Sequence, residues 1–143
     1  MVKGYLFLFV LLSSLLLSAC SSAPKGLTAD VFEMSNYLKT STQIDTLLTD
    51  QTMVNILDVR TPAEFQTECL KGARNIDFEA TDFEQNIAGL DKNADYLVYC
   101  RSGRRSALAV AKMRAIGINN IIELKGGINA WKSDGKKVVN NCR

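Results

Sequence analysis

The chain has 143 residues, with 17 Lys+Arg against 15 Asp+Glu and a net charge of +2. This length accommodates one domain, and so small a charge excludes the basic footprint of a nucleic-acid-binding protein. The absence of histidine removes Ser-His-Asp and Cys-His catalysis and histidine zinc sites, which leaves chemistry to the cysteines at 20, 69, 100 and 142.

Residues Tyr5–Leu17 form an apolar run with one charge, Lys3, ahead of it. The run is short for a membrane span and suits the core of a signal peptide. It closes on Leu17-Ser18-Ala19-Cys20, which resembles a bacterial lipobox. The expected signal peptide is 1–19, with Cys20 lipidated as the first mature residue. A plain secretory signal cleaved at Ala19 is the alternative. Ser21, by analogy with Gram-negative sorting, favours the periplasmic face of the outer membrane. Cleavage would leave 124 residues at a net charge of +1, so lipid rather than a basic patch would hold the protein at the membrane. Residues 20–36 are expected to be the lipidated N-terminus and a tether, followed by a single domain over 37–143.

The body alternates helix and strand signals. Thr42–Leu48 carries apolar residues at helical spacing, with Ser41 or Thr42 as cap. Met53–Val59 is a buried strand. Thr61-Pro62-Ala63-Glu64 starts a helix. Ala73–Ile76 is a short strand and Asp82–Ala88 a short helix stopped by Gly89. Tyr96–Cys100 is a second buried strand, Ser106–Ile116 a helix closed by Gly117, Ile121–Leu124 a third strand, and Ile128–Lys132 opens a last helix after Gly126-Gly127. The pattern predicts an α/β fold, a mainly parallel sheet with helices on both faces.

Cys100 ends a strand and precedes Arg101-Ser102-Gly103-Arg104-Arg105-Ser106 and a helix. Ligands of open α/β sheets bind beyond the carboxyl ends of strands. A strand–loop–helix turn there aims backbone N–H groups inward as an anion cradle. The helix N-terminus and three arginines would lower the Cys100 pKa from about 8.5 into the ~3.5–7.5 range of activated thiols. Cys100 is therefore the expected nucleophile, with Arg101, Ser102, Gly103, Arg104 and Arg105 as the substrate loop; which arginines face inward is left open. Gly103 supplies the turn and Ser106 the helix cap. Asp58 and Arg60, near the same rim, read as a structural ion pair, as does Glu64. Trp131, Tyr96 and Tyr99 read as packing. No metal or cofactor site is evident.

The chain resembles the single-domain rhodaneses over about residues 40–140. Ile56-Leu57-Asp58-Val59-Arg60 with Thr61-Pro62-Ala63-Glu64-Phe65, then Cys100-Arg101-Ser102-Gly103-Arg104-Arg105-Ser106, then Gly126-Gly127-Ile128-Asn129-Ala130-Trp131 carry the likeness. The signal-bearing thiosulfate sulfurtransferases of the phage-shock type are similar in size and export. One segment departs: Glu68-Cys69-Leu70-Lys71-Gly72-Ala73 stands where the family usually reads Gly-His-Ile-Pro-Gly-Ala. The resemblance implies a rhodanese-like domain in which Cys100 takes sulfur from thiosulfate or a related donor as a persulfide and passes it to cyanide or a thiol, including a thiol on a partner protein. A non-enzymatic lipid-anchored module binding anions or a partner is the rival. A cysteine phosphatase or arsenate reductase is disfavoured, because Cys-x5-Arg would need Arg at 106, which is Ser.

Export permits disulfides. With Cys20 lipidated and Cys100 free, Cys69 and Cys142 would pair; a Cys69–Cys100 bridge acting as a redox lock is the alternative.

Overall fold

The computed structural model describes residues 37–50 and 54–143. The expected signal peptide, Cys20 and the tether, as well as Met53, lie outside the described residues. Five parallel strands form the main sheet in the order β1-β6-β5-β2-β4: β1 (Leu38–Lys39), β2 (Asn55–Asp58), β4 (Arg74–Asn75), β5 (Tyr96–Tyr99) and β6 (Ile121–Leu124). The strongly apolar β5 is central. All four of its residues are buried, as expected of a parallel strand covered on both faces.

The helices are α1 (Ser41–Thr49), α2 (Pro62–Thr67), α3 (Phe83–Ala88), α4 (Arg104–Ala115) and α5 (Gly127–Ser133). Strand alternation divides the core in two. Val98 and Ile121 pack with Phe83 and Ile87 of α3 and with Ala109, Val110 and Met113 of α4. Leu97, Tyr99 and Leu124 pack on the other face with Ile44 of α1 and with Ile128 and Trp131 of α5.

Two local expectations shift. The cap of α1 is Thr40, not Ser41 or Thr42: its hydroxyl accepts from the Gln43 amide while Gln43 accepts from the Thr40 amide, a reciprocal capping box. Ser106 does not cap α4. Gly103 occupies that position with φ 106°, and α4 begins at Arg104, so Ser106 lies inside the first turn.

A second, two-stranded antiparallel sheet pairs β3 (Glu68–Cys69) with β7 (Val139–Asn140). Beside it Cys69 and Cys142 are joined in a disulfide, 73 positions apart in sequence. Cys100 is the free cysteine of the described residues, so the Cys69–Cys100 alternative does not occur in this structure. The bridge anchors the chain end to the segment that follows α2. Closing a loop of this length restricts the unfolded chain, worth about 4 kcal/mol in the chain-entropy account. Replacing both Cys69 and Cys142 by Ala is expected to lower unfolding free energy by up to that amount, measured by urea denaturation under non-reducing conditions.

Candidate active site

The carboxyl ends of β2 and β5 converge where the strands give way to loops. Val59 donates its amide to the Tyr99 carbonyl at 2.9 Å, which carries the pairing one residue beyond β2. Cys100 follows immediately and is 1% exposed. The chain then turns through residues 101–103 into α4. The positive φ of Gly103 is a conformation that a side chain would oppose.

The turn aims donors at the sulfur. The Gly103 amide lies 3.1 Å from Cys100 Sγ and the Ser106 hydroxyl 3.4 Å. Burial pushes the thiol pKa up, but the Ser106 hydroxyl and the Ser106, Ser102 and Gly103 amides outweigh it, and the pKa lies below that of an ordinary cysteine. The physical cause is donation to the charged form at a helix N-terminus.

The loop is held from behind by α5. The amides of Ile128 and Asn129 donate to the carbonyls of Cys100 and Arg101, at 2.9 and 3.1 Å. This contact requires Gly127: a Cβ there would clash with the Cys100 carbonyl oxygen and lie 2.7 Å from the Arg101 carbonyl. With their carbonyls drawn to α5, the residues of the turn leave their amides facing the sulfur.

The three arginines are not equivalent. Arg105 is bound on both guanidinium arms by Glu64, each at 2.8 Å, with Glu79 further off at 3.7 Å. Arg101 and Arg104 are exposed, as is Ser102. Free positive charge at the loop therefore comes from Arg101 and Arg104, while Arg105 ties the first turn of α4 to α2. Glu64 also completes the capping box of α2 with Thr61.

Asp58 and Arg60 form a buried ion pair at 2.6 Å, 0% and 3% exposed. Arg60 additionally donates to the Glu68 carbonyl at 2.5 Å and lies over the Tyr99 ring, 5.7 Å from its centroid. The Tyr99 hydroxyl accepts from the Leu70 amide at 3.1 Å. This network fixes the rim around β2 and β3 without touching the sulfur.

A polar cavity of about 260 Å³ opens beside the loop, lined by Arg60, Glu64, Thr67, Glu68, Arg101, Ile128, Asn129 and Lys132. A more apolar cavity of about 410 Å³, lined in part by Tyr37, Leu47, Tyr96 and Ile121, lies at the amino ends of β5 and β6, away from the thiol. Because Cys100 and its loop lie at the carboxyl ends, where open α/β sheets bind ligands, the smaller cavity is the one beside them. Among the described residues no cluster of His, Cys, Asp and Glu is placed to hold a metal ion.

Sequence reasoning passed over Glu123. It is buried on β6, 3% exposed, and hydrogen-bonded to Ser106 at 2.6 Å. A lone acidic residue in Ile-Ile-Glu-Leu carries no local signal of this contact.

Strand, turn and helix thus place a buried thiol of lowered pKa among backbone donors in an α/β domain. The rhodanese-like domain family profile matches residues 40–134, and the chain belongs to that family. It is 33% identical over 92 residues to a sulfurtransferase of Allochromatium vinosum, covering 64% of this chain and 84% of that one. It is 31% identical over 93 residues to thiosulfate sulfurtransferase 16 of Arabidopsis thaliana, covering 55% and 74%. A rhodanese-related protein of Thermoplasma volcanium superposes with a TM-score of 0.61 at 29% identity, covering 71% of this chain and 95% of that one.

The Arg105–Glu64 pair has a pH signature. The Arg105 guanidinium holds the Glu64 carboxyl at about 2, down from 4.5. A depressed folded-state pKa stabilises above the unfolded value and loses that contribution as pH falls through the folded one. The stability deficit of Glu64→Gln relative to wild type is thus expected to be full above about pH 4.5 and to shrink towards pH 2, checked by denaturation across that range.

Proposed function

We propose that this protein is a rhodanese-type sulfurtransferase whose Cys100 accepts sulfane sulfur from thiosulfate or a related anionic donor. The observation that carries the reading is the pair of donors on Cys100 Sγ, the Gly103 amide and the Ser106 hydroxyl, at the N-terminus of α4. They favour a thiolate without a histidine base. The thiolate attacks the outer sulfur of thiosulfate, the S–S bond of the donor breaks, and sulfite leaves with the bonding pair. Cys100 then carries a persulfide. A second nucleophile, cyanide or a thiol, takes the outer sulfur and restores the thiolate.

The amides of the turn hold the anionic sulfur, first as thiolate and then as persulfide. Exposed Arg101 and Arg104 draw the donor in. With Cys100 1% exposed, the donor meets the sulfur only at the mouth of the loop, beside Arg101 and Ser102. The polar cavity lined by Arg101, Asn129 and Lys132 gives the sulfite oxygens and the acceptor a place next to that mouth. A phosphatase-type anion loop is disfavoured both by Ser at 106 and by the capture of Arg105 on Glu64.

Intact mass of the purified protein after brief exposure to thiosulfate tests this directly. The expected result is a gain of one sulfur atom, lost on adding cyanide or a thiol and absent in Cys100→Ser. A free Cys100 that takes up no sulfur from thiosulfate would sink the donor assignment. Retained anion or partner binding in Cys100→Ser would then favour a binding module.

The protein is further proposed to be exported and lipid-anchored through Cys20, in the manner of a bacterial lipoprotein, and to act as an exported sulfurtransferase of the phage-shock type. Leu17-Ser18-Ala19-Cys20 supports this, as does the Cys69–Cys142 disulfide, which suits an oxidising compartment. Expressed in a Gram-negative host, the wild-type chain is expected to incorporate labelled fatty acid and fractionate with the outer membrane. Cys20→Ala should lose both.

A further inference from the structure

Two carboxylates are buried among the described residues, Asp58 and Glu123. Asp58 is matched by the Arg60 guanidinium. Glu123 has no such partner: its hydrogen bond runs to Ser106 Oγ at 2.6 Å. β6 places it there by register. Glu123 pairs with Val98 of β5 and with Leu38 of β1, and strand alternation turns it, like Ile121, towards α4. Ser106 in the first turn of α4 is itself fully buried.

Ser106 Oγ stands within reach of three acceptors: Glu123 at 2.6 Å, the Gly103 carbonyl at 3.0 Å and Cys100 Sγ at 3.4 Å. A hydroxyl has one proton and donates it to one of them at a time. When Glu123 is ionised it takes that proton, and the sulfur is left without the Ser106 donor. When Glu123 is protonated it donates to Ser106 Oγ, and the Ser106 proton is free to turn towards the sulfur. The charge on Cys100 and the charge on Glu123 are therefore alternatives joined by one hydroxyl.

We propose that Cys100 and Glu123 share a single proton through Ser106, with Glu123 as the positioning residue that holds the proton the thiol gives up. The S–H bond of Cys100 breaks and the sulfur keeps the electron pair. The proton goes to Ser106 Oγ as the Ser106 proton passes to Glu123 Oε1. The product is a thiolate receiving the Gly103 amide and the Ser106 hydroxyl, beside a neutral carboxyl. The pair carries one negative charge before and after, so no second anion is buried.

The surroundings decide where that charge sits. The sulfur has the backbone amides at the N-terminus of α4, which Glu123 lacks. Arg114, further along α4, is the cation that attracts the Glu123 carboxylate, and its guanidinium stacks on the Tyr37 ring, 4.1 Å from the centroid. Burial raises the Glu123 pKa above the usual carboxylate range, with Ser106 and Arg114 pulling it back. The arrangement supplies the base that a chain without histidine otherwise lacks. It rests on the reading of Cys100 as a working thiolate.

Thiolate absorbance of the full-length protein, as a difference against Cys100→Ser, tests the coupling without reference to sulfur transfer. Coupled acids titrate in two macroscopic steps, about one pH unit or more apart. The wild type is expected to show two steps in the thiolate signal. Glu123→Gln should show one, at a pH between the two wild-type steps, and the displacement should shrink several-fold in a Ser106→Ala background. Superimposable wild-type and Glu123→Gln curves would overturn the proposal, as would an effect undiminished by Ser106→Ala. The unmutated protein gives a second reading if a variant fails to fold. Converting Cys100 to its carboxamidomethyl thioether abolishes the sulfur charge and should move the protonated-carboxyl infrared band of Glu123 to titrate at lower pH; an unmoved band overturns it. Two-step titration in a protein that takes no sulfur from thiosulfate would sustain the proton sharing and refute the donor instead.

Discussion

The site depends on one close approach, the amino end of α5 against the carbonyls of Cys100 and Arg101. Ile128 and Asn129 donate to those carbonyls, and only glycine at 127 lets the two backbones come so near. The consequence lies on the other side of the peptide planes. With the carbonyls held outward, the amides of the turn converge on the sulfur, and the N-terminus of α4 begins there. Covering Cys100 with apolar neighbours would by itself suppress the thiolate. The same packing that buries it also fixes the donors that outweigh burial.

Charge at the site is arranged rather than summed. Three arginines in five residues suggest a strongly positive loop, yet Arg105 is neutralised by Glu64 and serves to pin α4 to α2. Arg101 and Arg104 remain open to solvent. Arg60, close by, is taken up by Asp58 and by the Glu68 carbonyl. Buried ion pairs contribute little net stability when desolvation is counted; their effect here is geometric. Arg60 joins the end of β2 to β3, and β3 in turn carries Cys69 and the covalent tie to the chain end. The rim of the site is thus braced through the segment where the chain departs from its family's usual motif.

Much of the architecture was legible because parallel strands announce themselves. Tyr96–Tyr99 is a short, wholly apolar run, and Ile121–Leu124 and Ile56–Leu57 read similarly. Pro62 and Gly117 mark helix ends by their own backbone constraints. Of the two-residue strands, β4 lay within the expected Ala73–Ile76 strand, whereas β1, β3 and β7 were not legible, since no apolar run or turn signal marks them and pairing alone defines them. The cap of α1 was displaced by one residue because Thr40, Ser41 and Thr42 offer the same hydroxyl, and only backbone geometry chooses among them. Ser106 was read as a cap for a comparable reason: a serine near a helix start suits that role until Gly103 is found to hold it.

The sequence alone determined that a cysteine ends a buried strand and opens a glycine-containing, arginine-rich turn into a helix. These residues are neighbours in the chain, so their local geometry follows from covalent order and backbone preference. It determined the family resemblance on the same ground. Which arginines keep free charge, which cysteines join, and what lies beneath Ser106 were decided only by the tertiary structure. Those contacts link Arg105 to Glu64 41 positions away, Cys69 to Cys142 73 away, and Ser106 to Glu123 17 away. Distances of that kind are set by strand order and helix packing. The carboxylate beneath Ser106 is where it is because β6 lies next to β5, and that adjacency is a property of the sheet.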